Sequence, residues 1–284
     1  MIRATPTRRR RRGFTGDVLV GAPLLLAVLA LAAFGPLLWP PDPITADITA
    51  TFKPPMTVVA GTLHPLGTDQ LGRDLLARII AGSRLSLVIV LLAGTIAVIL
   101  GTMLGLVSGF FGGWADRIIM RLVDIQLSIP FILLILLVVA VVGPSILNLV
   151  LILGVTGWAI FARLARAKTL EVKALDFVRA ARALGVPTAG ILFRHVLPNI
   201  LTPQIVLMTL DLPRLIVLEA SVGFLGLGVQ PPTATLGNLI GEGRSYILMA
   251  DWIVLYPGLV IAALVVGCNL VGDWLIRRTD VRID

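Results

Sequence analysis

Six stretches of this 284-residue chain are apolar for long enough to cross a lipid bilayer, and that requirement constrains the fold more than any other signal. A helix rises about 1.5 Å per residue and the hydrocarbon core is about 30 Å thick, so about 20 mostly apolar residues suffice. The stretches are 18–39, 85–110, 118–142, 146–162, 200–224 and 252–276; the fifth contains Asp211, Arg214 and Glu219. With 57% hydrophobic and 14% charged residues, and a mean hydropathy of +0.97, the chain does not have the composition of a soluble domain. Backbone groups in hydrocarbon must satisfy one another, so the expected fold is an all-α integral membrane protein of six transmembrane helices.

The cations orient it. An even number of spans puts both termini on one side. That side collects eighteen of the 24 Lys and Arg residues: Arg3 and Arg8 through Arg12 in the tail, Arg117 and Arg121 after the second span, seven between Arg163 and Arg194, and Arg277, Arg278 and Arg282 at the end. Only Lys53, Arg73, Arg78, Arg84 and Arg244 fall opposite, while Arg214 lies within a span. An excess of this size marks the cytoplasmic side, so both termini are expected there. The net charge of +8 then follows from topology, and no nucleic-acid partner is expected. The first span is too long for a signal peptide and is expected to stay attached. A lone cysteine, Cys268, excludes a disulfide within the chain.

The organisation read from these signals is a basic tail over 1–17, a first span over 18–39, an outer loop over 40–84, a five-helix core over 85–276 and a short tail over 277–284. The outer loop opens with Pro40, Pro41 and Pro43, then carries Leu71, Leu75, Leu76, Ile79 and Ile80 at helical spacing. Asp69 precedes Arg73 by four residues and Asp74 precedes Arg78 by four, which predicts an amphipathic helix on the outer surface. In the second span Ala93, Ala97, Gly101, Gly105 and Gly109 form a small-residue stripe, the pattern that lets helices approach closely where lipid offers no hydrophobic drive. Its partner, in this chain or another, is left open. Gly223, Gly226 and Gly228 close the fifth span, and residues 235–248 suit a short surface or re-entrant helix.

The segment from Glu171 to Asn199 is charged and helical, yet lies between spans. Leu170, Ala174, Phe177, Ala181 and Leu184 make one apolar stripe, Gly185 suits the position past a helix end, and Pro187 suits a second helix that Leu197 and Pro198 close. An amphipathic helix outside the membrane either packs on its own spans or docks on a partner.

"RAARALG", followed by "HVLP" with Pro198 thirteen residues after Gly185, resembles the cytoplasmic loop of ABC importer permeases. That pattern reads E-A-A, three residues, G, nine residues, I-x-L-P. Ala180, Ala181, Gly185, Leu197 and Pro198 match; Arg179 replaces the glutamate and His195 the isoleucine. Residues 64–87, 218–247 and 269–282 are similar to the C-type permease subunit of dipeptide and oligopeptide importers, with Leu236 in place of a common tryptophan and "DVR" in place of "DPR".

The resemblance implies a type I ABC importer permease in the bacterial cytoplasmic membrane, moving dipeptides or oligopeptides by alternating access. The loop over 163–199 would couple it to a separate ATPase, which holds the ATP and Mg. A second, B-type permease chain, two ATPase subunits or one fused chain, and an extracytoplasmic peptide-binding protein would complete the assembly. This chain has no phosphate-binding G-x-x-x-x-G-K-[ST] loop and is expected to hydrolyse nothing itself and to hold no cofactor or metal. Nickel or another small solute is the alternative cargo. Either Asp176 supplies the acid missing at Arg179, or the partner presents one, or Arg179 is an ordinary solvated cation.

Asp211, Arg214 and Glu219 recur on one face of the fifth span, where each isolated charge costs about 2.5–3.5 kcal/mol. They line the translocation path or pair with charges on a partner permease. Read as a proton relay, they would suit a stand-alone secondary transporter, which leaves the two-helix loop without a role. Arg121 and Asp124, three apart, are expected to pair locally.

Overall fold

The computed structural model describes residues 16–39 and 42–279. The arginines of the N-terminal tail, Pro40, Pro41, Arg282 and the side chain of Arg278 lie outside the described residues. The chain is almost wholly helical. Helix α1 (Gly16–Leu38) is followed by a hairpin of β1 (Thr57–Val59) and β2 (Thr62–His64), then α2 (Leu75–Phe111), α3 (Gly113–Ser128), α4 (Phe131–Val142) and α5 (Ile146–Lys173). Next come α6 (Asp176–Ala183), the single turn α7 (Thr188–Gly190), a π-helical turn over Ile191–Val196, α8 (Leu197–Phe224), α9 (Leu236–Gly243) and α10 (Trp252–Thr279).

Among the described residues, α1, α2, α5 and α10 are each long and apolar enough to cross a membrane. The expected third span is not one straight helix. It is α3 and α4, bent by 91° at Ile129 and Pro130. Pro130 explains the break, because a proline excludes the residue before it from helical geometry, and Ile129 is accordingly extended (φ −91°, ψ 129°). The fifth expected span is α8, 28 residues long and lodged against α2, α5, α9 and α10.

The outer-loop helix is also different from expectation. No separate amphipathic helix forms; Asp74 caps α2, its carboxylate accepting from the Ala77 amide at 2.7 Å, and α2 then runs unbroken for 37 residues. Leu71 sits in a turn that requires Gly72 at φ +72°, where a Cβ would run into the Asp47 carbonyl. The Asp69–Arg73 pair forms at 2.7 Å, but in this buried turn rather than along a helix. Arg78 turns away from Asp74 and reaches Asp69 at 2.6 Å and Glu242 of α9 at 3.0 Å. Asp74 instead takes His64 Nδ1 at 2.8 Å and Trp39 Nε1 at 3.1 Å, tying the hairpin and the end of α1 to α2.

The small-residue stripe meets a partner within the chain. Ala93, Ala97, Gly101, Gly105 and Gly109 are all buried, and α5 crosses them along most of its length. A Cβ on Gly101 would stand 2.5 Å from the Trp158 carbonyl oxygen and the Phe161 Cβ, and one on Gly109 2.8 Å from the Arg166 carbonyl oxygen. Gly154 on α5 reciprocates against Ile96. With no apolar-surface drive available in lipid, this close fit is what joins the two helices. Residues 235–248 divide: Leu236 through Leu239 are buried and Gly237 fits against the backbone of Ala220, so that part is no surface helix, whereas Arg244, Ile247 and Leu248 are exposed.

Candidate functional site

At the end of the bundle opposite the hairpin, α5 passes Lys173 and the chain turns into α6. Leu175 is extended and Asp176 occupies the first turn, where a carboxylate complements the helix dipole. The helix stops at Gly185. Val186 N–H donates to the Ala181 carbonyl and Gly185 N–H to that of Arg182, both at 3.1 Å, a closure that needs the left-handed φ of +77° that Gly185 adopts. This was legible from the sequence.

The buried face of α6 was not. Val178 and Ala181 are the residues that pack inward, against Leu106, Phe110, Ile191 and Val196. Of the expected stripe, Ala181 alone is buried, whereas Leu170, Ala174, Phe177 and Leu184 are exposed, Leu184 at 84% of its surface. The register differs because the chain bends between Lys173 and Asp176, so Leu170 and Ala174 do not share an axis with α6. Phe177 leans on His195 at 6.2 Å between ring centroids. Lys173 donates to the Phe110 carbonyl at 2.5 Å, and Arg182 lies 5.6 Å from the Phe110 ring.

Leu197 and Pro198 do not close a second helix as expected; they open α8. Pro198 has no amide to give and its ring crowds the preceding turn, so the winding loosens ahead of it into the π-helical turn, where Leu197 N–H reaches back to Leu192. As a result α7, the π-helical turn and α8 form one helical run. Asp176 and Arg179 approach only to 3.8 Å, both exposed, leaving the outward face of α6 with Arg179, Ala180 and Arg182 beside the apolar Phe177 and Leu184.

Higher in the bundle, Arg214 grips Asp211 with two bonds, Nε to Oδ1 at 2.5 Å and Nη2 to Oδ2 at 2.9 Å, and its guanidinium carbon lies 4.7 Å from the centre of the Phe131 ring. Glu219 is separate. It is buried at 1% exposure between α2 and α9, held by the Ser86 and Thr235 hydroxyls, with Oε1 unbonded. Asp124 pairs with Arg163 at 2.8 Å rather than with Arg121. Asp116 binds Arg166 through bonds of 2.5 and 2.7 Å, which no sequence spacing announced because fifty residues separate them.

Residues 97–284 match the model of a family described as binding-protein-dependent transport system inner membrane component. The chain belongs to that family. The matched region takes in α6, Gly185, Leu197 and Pro198, so the resemblance read from those residues holds. A dipeptide transport system permease protein of Haemophilus influenzae is 40% identical over 270 residues, 93% of this chain and 90% of that protein. An oligopeptide transport system permease protein of Bacillus subtilis is 32% identical over 93% of this chain and 85% of its own length. Among solved structures, an inward-facing form of the MetNI methionine ABC transporter superposes with a TM-score of 0.56 at 23% identity, over 72% of this chain and 97% of that one. This likeness gives the permease the type I importer fold. The chain is therefore a multi-pass inner-membrane permease, a transport subunit of the kind that works with an ATPase, a solute-binding protein and a second permease.

Proposed function

We propose that this permease carries dipeptides or oligopeptides inward across the bacterial cytoplasmic membrane, driven by a partner ATPase that seats on α6 and the π-helical turn. One observation carries the reading: α6 is fixed to the bundle by Val178 and Ala181 while presenting Phe177 and Leu184, two large apolar side chains, to solvent. An exposed apolar pair on a rigid, cationic, eight-residue helix has the composition of a docking surface. The named cargo of the relatives supports peptide as the solute.

In this reading α8 is the fifth of six spans, its charges shielded by α2, α5 and α10, and both termini lie in the cytoplasm with α6. Asp176, Arg179, Ala180, Ala181, Gly185, Leu197 and Pro198 form the coupling element. ATP and Mg bind on one or two ATPase chains, and this chain hydrolyses nothing. A B-type permease completes the pathway and an extracytoplasmic binding protein delivers the peptide.

Cysteine scanning along α6 in native vesicles tests the proposal. Substitutions at Asp176, Arg179 and Leu184 are expected to crosslink to a nucleotide-hydrolysing polypeptide, and peptide uptake is expected to need ATP and to survive a protonophore. Absence of any such crosslink, or uptake abolished by the protonophore alone, overturns it.

A further inference from the structure

Beside the bend between α3 and α4 lies a cavity of about 340 Å³, half open to the outside of the chain, where Gln126, Ser128, Thr156 and Arg214 stand among apolar neighbours such as Ile129 and Phe131. Thr156 lies ten residues into α5, about 15 Å along its axis, which is half the thickness of a hydrocarbon core of about 30 Å. A largely apolar cavity that holds a charged guanidinium at that depth, beside a broken helix, is ill suited to a wall that only faces lipid.

We propose that this cavity is a subsite for the C-terminal carboxylate of the peptide in transit, read by the Arg214 guanidinium; the inference rests on the peptide-importer reading. The guanidinium is already fixed. Asp211, itself buried, holds Nε and Nη2, and the Phe131 ring supports the plane from one side. Nη1 stays outside that fork, and the Arg214 side chain retains 39% of its exposure on the cavity wall. A planar guanidinium held in advance loses little freedom when it meets a two-oxygen acceptor, which is why arginine suits carboxylates better than lysine does.

The charge balance narrows the ligand further. Asp211 neutralises Arg214, so the cavity attracts no free anion strongly. A zwitterionic peptide fits better, since it brings its carboxylate together with its own ammonium group and needs no net charge from the wall. A buried ion pair is commonly no more stabilising than apolar side chains of the same volume, so stability alone does not account for the pair. Ligand recognition gives the pair a role beside the cavity.

The test uses the whole assembly, with both permeases, the ATPase and the binding protein, in proteoliposomes. Maximal ATP-driven uptake is compared for alanyl-phenylalanine and its C-terminal amide, each at a concentration that saturates the binding protein. Wild type is expected to favour the acid by about tenfold or more, the scale of one hydrogen bond to a charged group. The paired substitution Asp211→Asn with Arg214→Gln, which leaves no unpaired charge, is expected to erase that preference, and Arg214→Lys to reduce it. Co-purification with the ATPase shows that each variant is assembled. No preference in wild type, or an undiminished preference in an assembled variant, overturns the subsite. Wild-type vesicles that take up neither peptide overturn the importer reading itself, and the subsite with it.

Discussion

Arg78 and Glu242 are 164 residues apart in the chain and meet at 3.0 Å, joining the first turn of α2 to α9. Arg78 is 1% exposed, and Asp69 and Arg73 complete the cluster, so the outer loop, α2 and α9 are held by one set of charges.

Removing one member leaves a buried guanidinium short of a partner. Breaking a buried pair costs about 3–5 kcal/mol, and Glu242→Ala is expected to cost near the lower end because the Glu242 side chain stays 17% exposed. A fall of several degrees in the thermal unfolding midpoint of detergent-purified permease checks this, with uptake lost in proportion to folded protein.

The same carboxylate sets a pH dependence. Burial raises its pKa, but bonds from Arg78 and Gln70 and the charges of Arg78 and Arg73 prevail, holding it below its ordinary value of 4.5. A carboxyl group whose folded pKa is depressed stabilises the fold above its unfolded pKa and loses that contribution as pH falls through the folded one. The unfolding midpoint is therefore expected to be level from pH 8 to about 5 and to drop below about pH 4.5. Glu242→Gln is expected to start lower and to shrink the drop.

Along the contact of α2 with α5, a single methyl group discriminates. Gly101→Ala places carbon 2.5 Å from the Trp158 carbonyl oxygen and forces the helices apart, costing about 1–3 kcal/mol as overpacking does. Gly258→Ala on α10 meets nothing within 4 Å and is expected to stabilise by up to about 1 kcal/mol through helix propensity. Parallel unfolding curves of the two variants decide it.

On α6 the buried and exposed apolar residues separate folding from docking. Val178→Asp is expected to destabilise the permease, since Val178 is 1% exposed. Leu184→Asp is expected to leave the unfolding midpoint in place while abolishing co-purification with the ATPase. Loss of both properties in Leu184→Asp would place that residue in the fold and not on a partner.

Gly185→Ala strains a left-handed φ of +77° by about 1 kcal/mol. It is expected to lower ATP hydrolysis coupled to peptide more than it lowers stability. Arg179→Glu reverses an exposed cation whose ion-pair partner among the described residues, Asp176, is 3.8 Å away. Coupled hydrolysis is expected to fall, and unchanged hydrolysis would make Arg179 a solvated side chain.

The apolar runs that form α1, α2, α5 and α10, and the glycine that ends α6, were legible because both follow from local rules: hydrocarbon thickness, and the conformation a helix terminus demands. The small-residue stripe on α2 announced a close neighbour without naming it, since Gly101 and Gly105 specify distance and not identity. Pairings over long separations were invisible. Asp74 and Arg78 have the spacing of a helical pair, yet Asp74 is spent on capping and on His64, and Arg78 finds Glu242 only once α9 folds back. The break at Pro130 did have a signal, the proline itself, but continuous hydropathy on both sides masks it.

The helical run that begins at Thr188 ends at Phe224, about 55 Å away at 1.5 Å per residue. Its near end flanks α6 and its far end carries Glu219, clasped to Ser86 and Thr235. If a partner docks on α6 as proposed, a displacement delivered at the near end of this run would travel towards Glu219 through one helix, softened only at the π-helical turn and at Pro203 and Pro213.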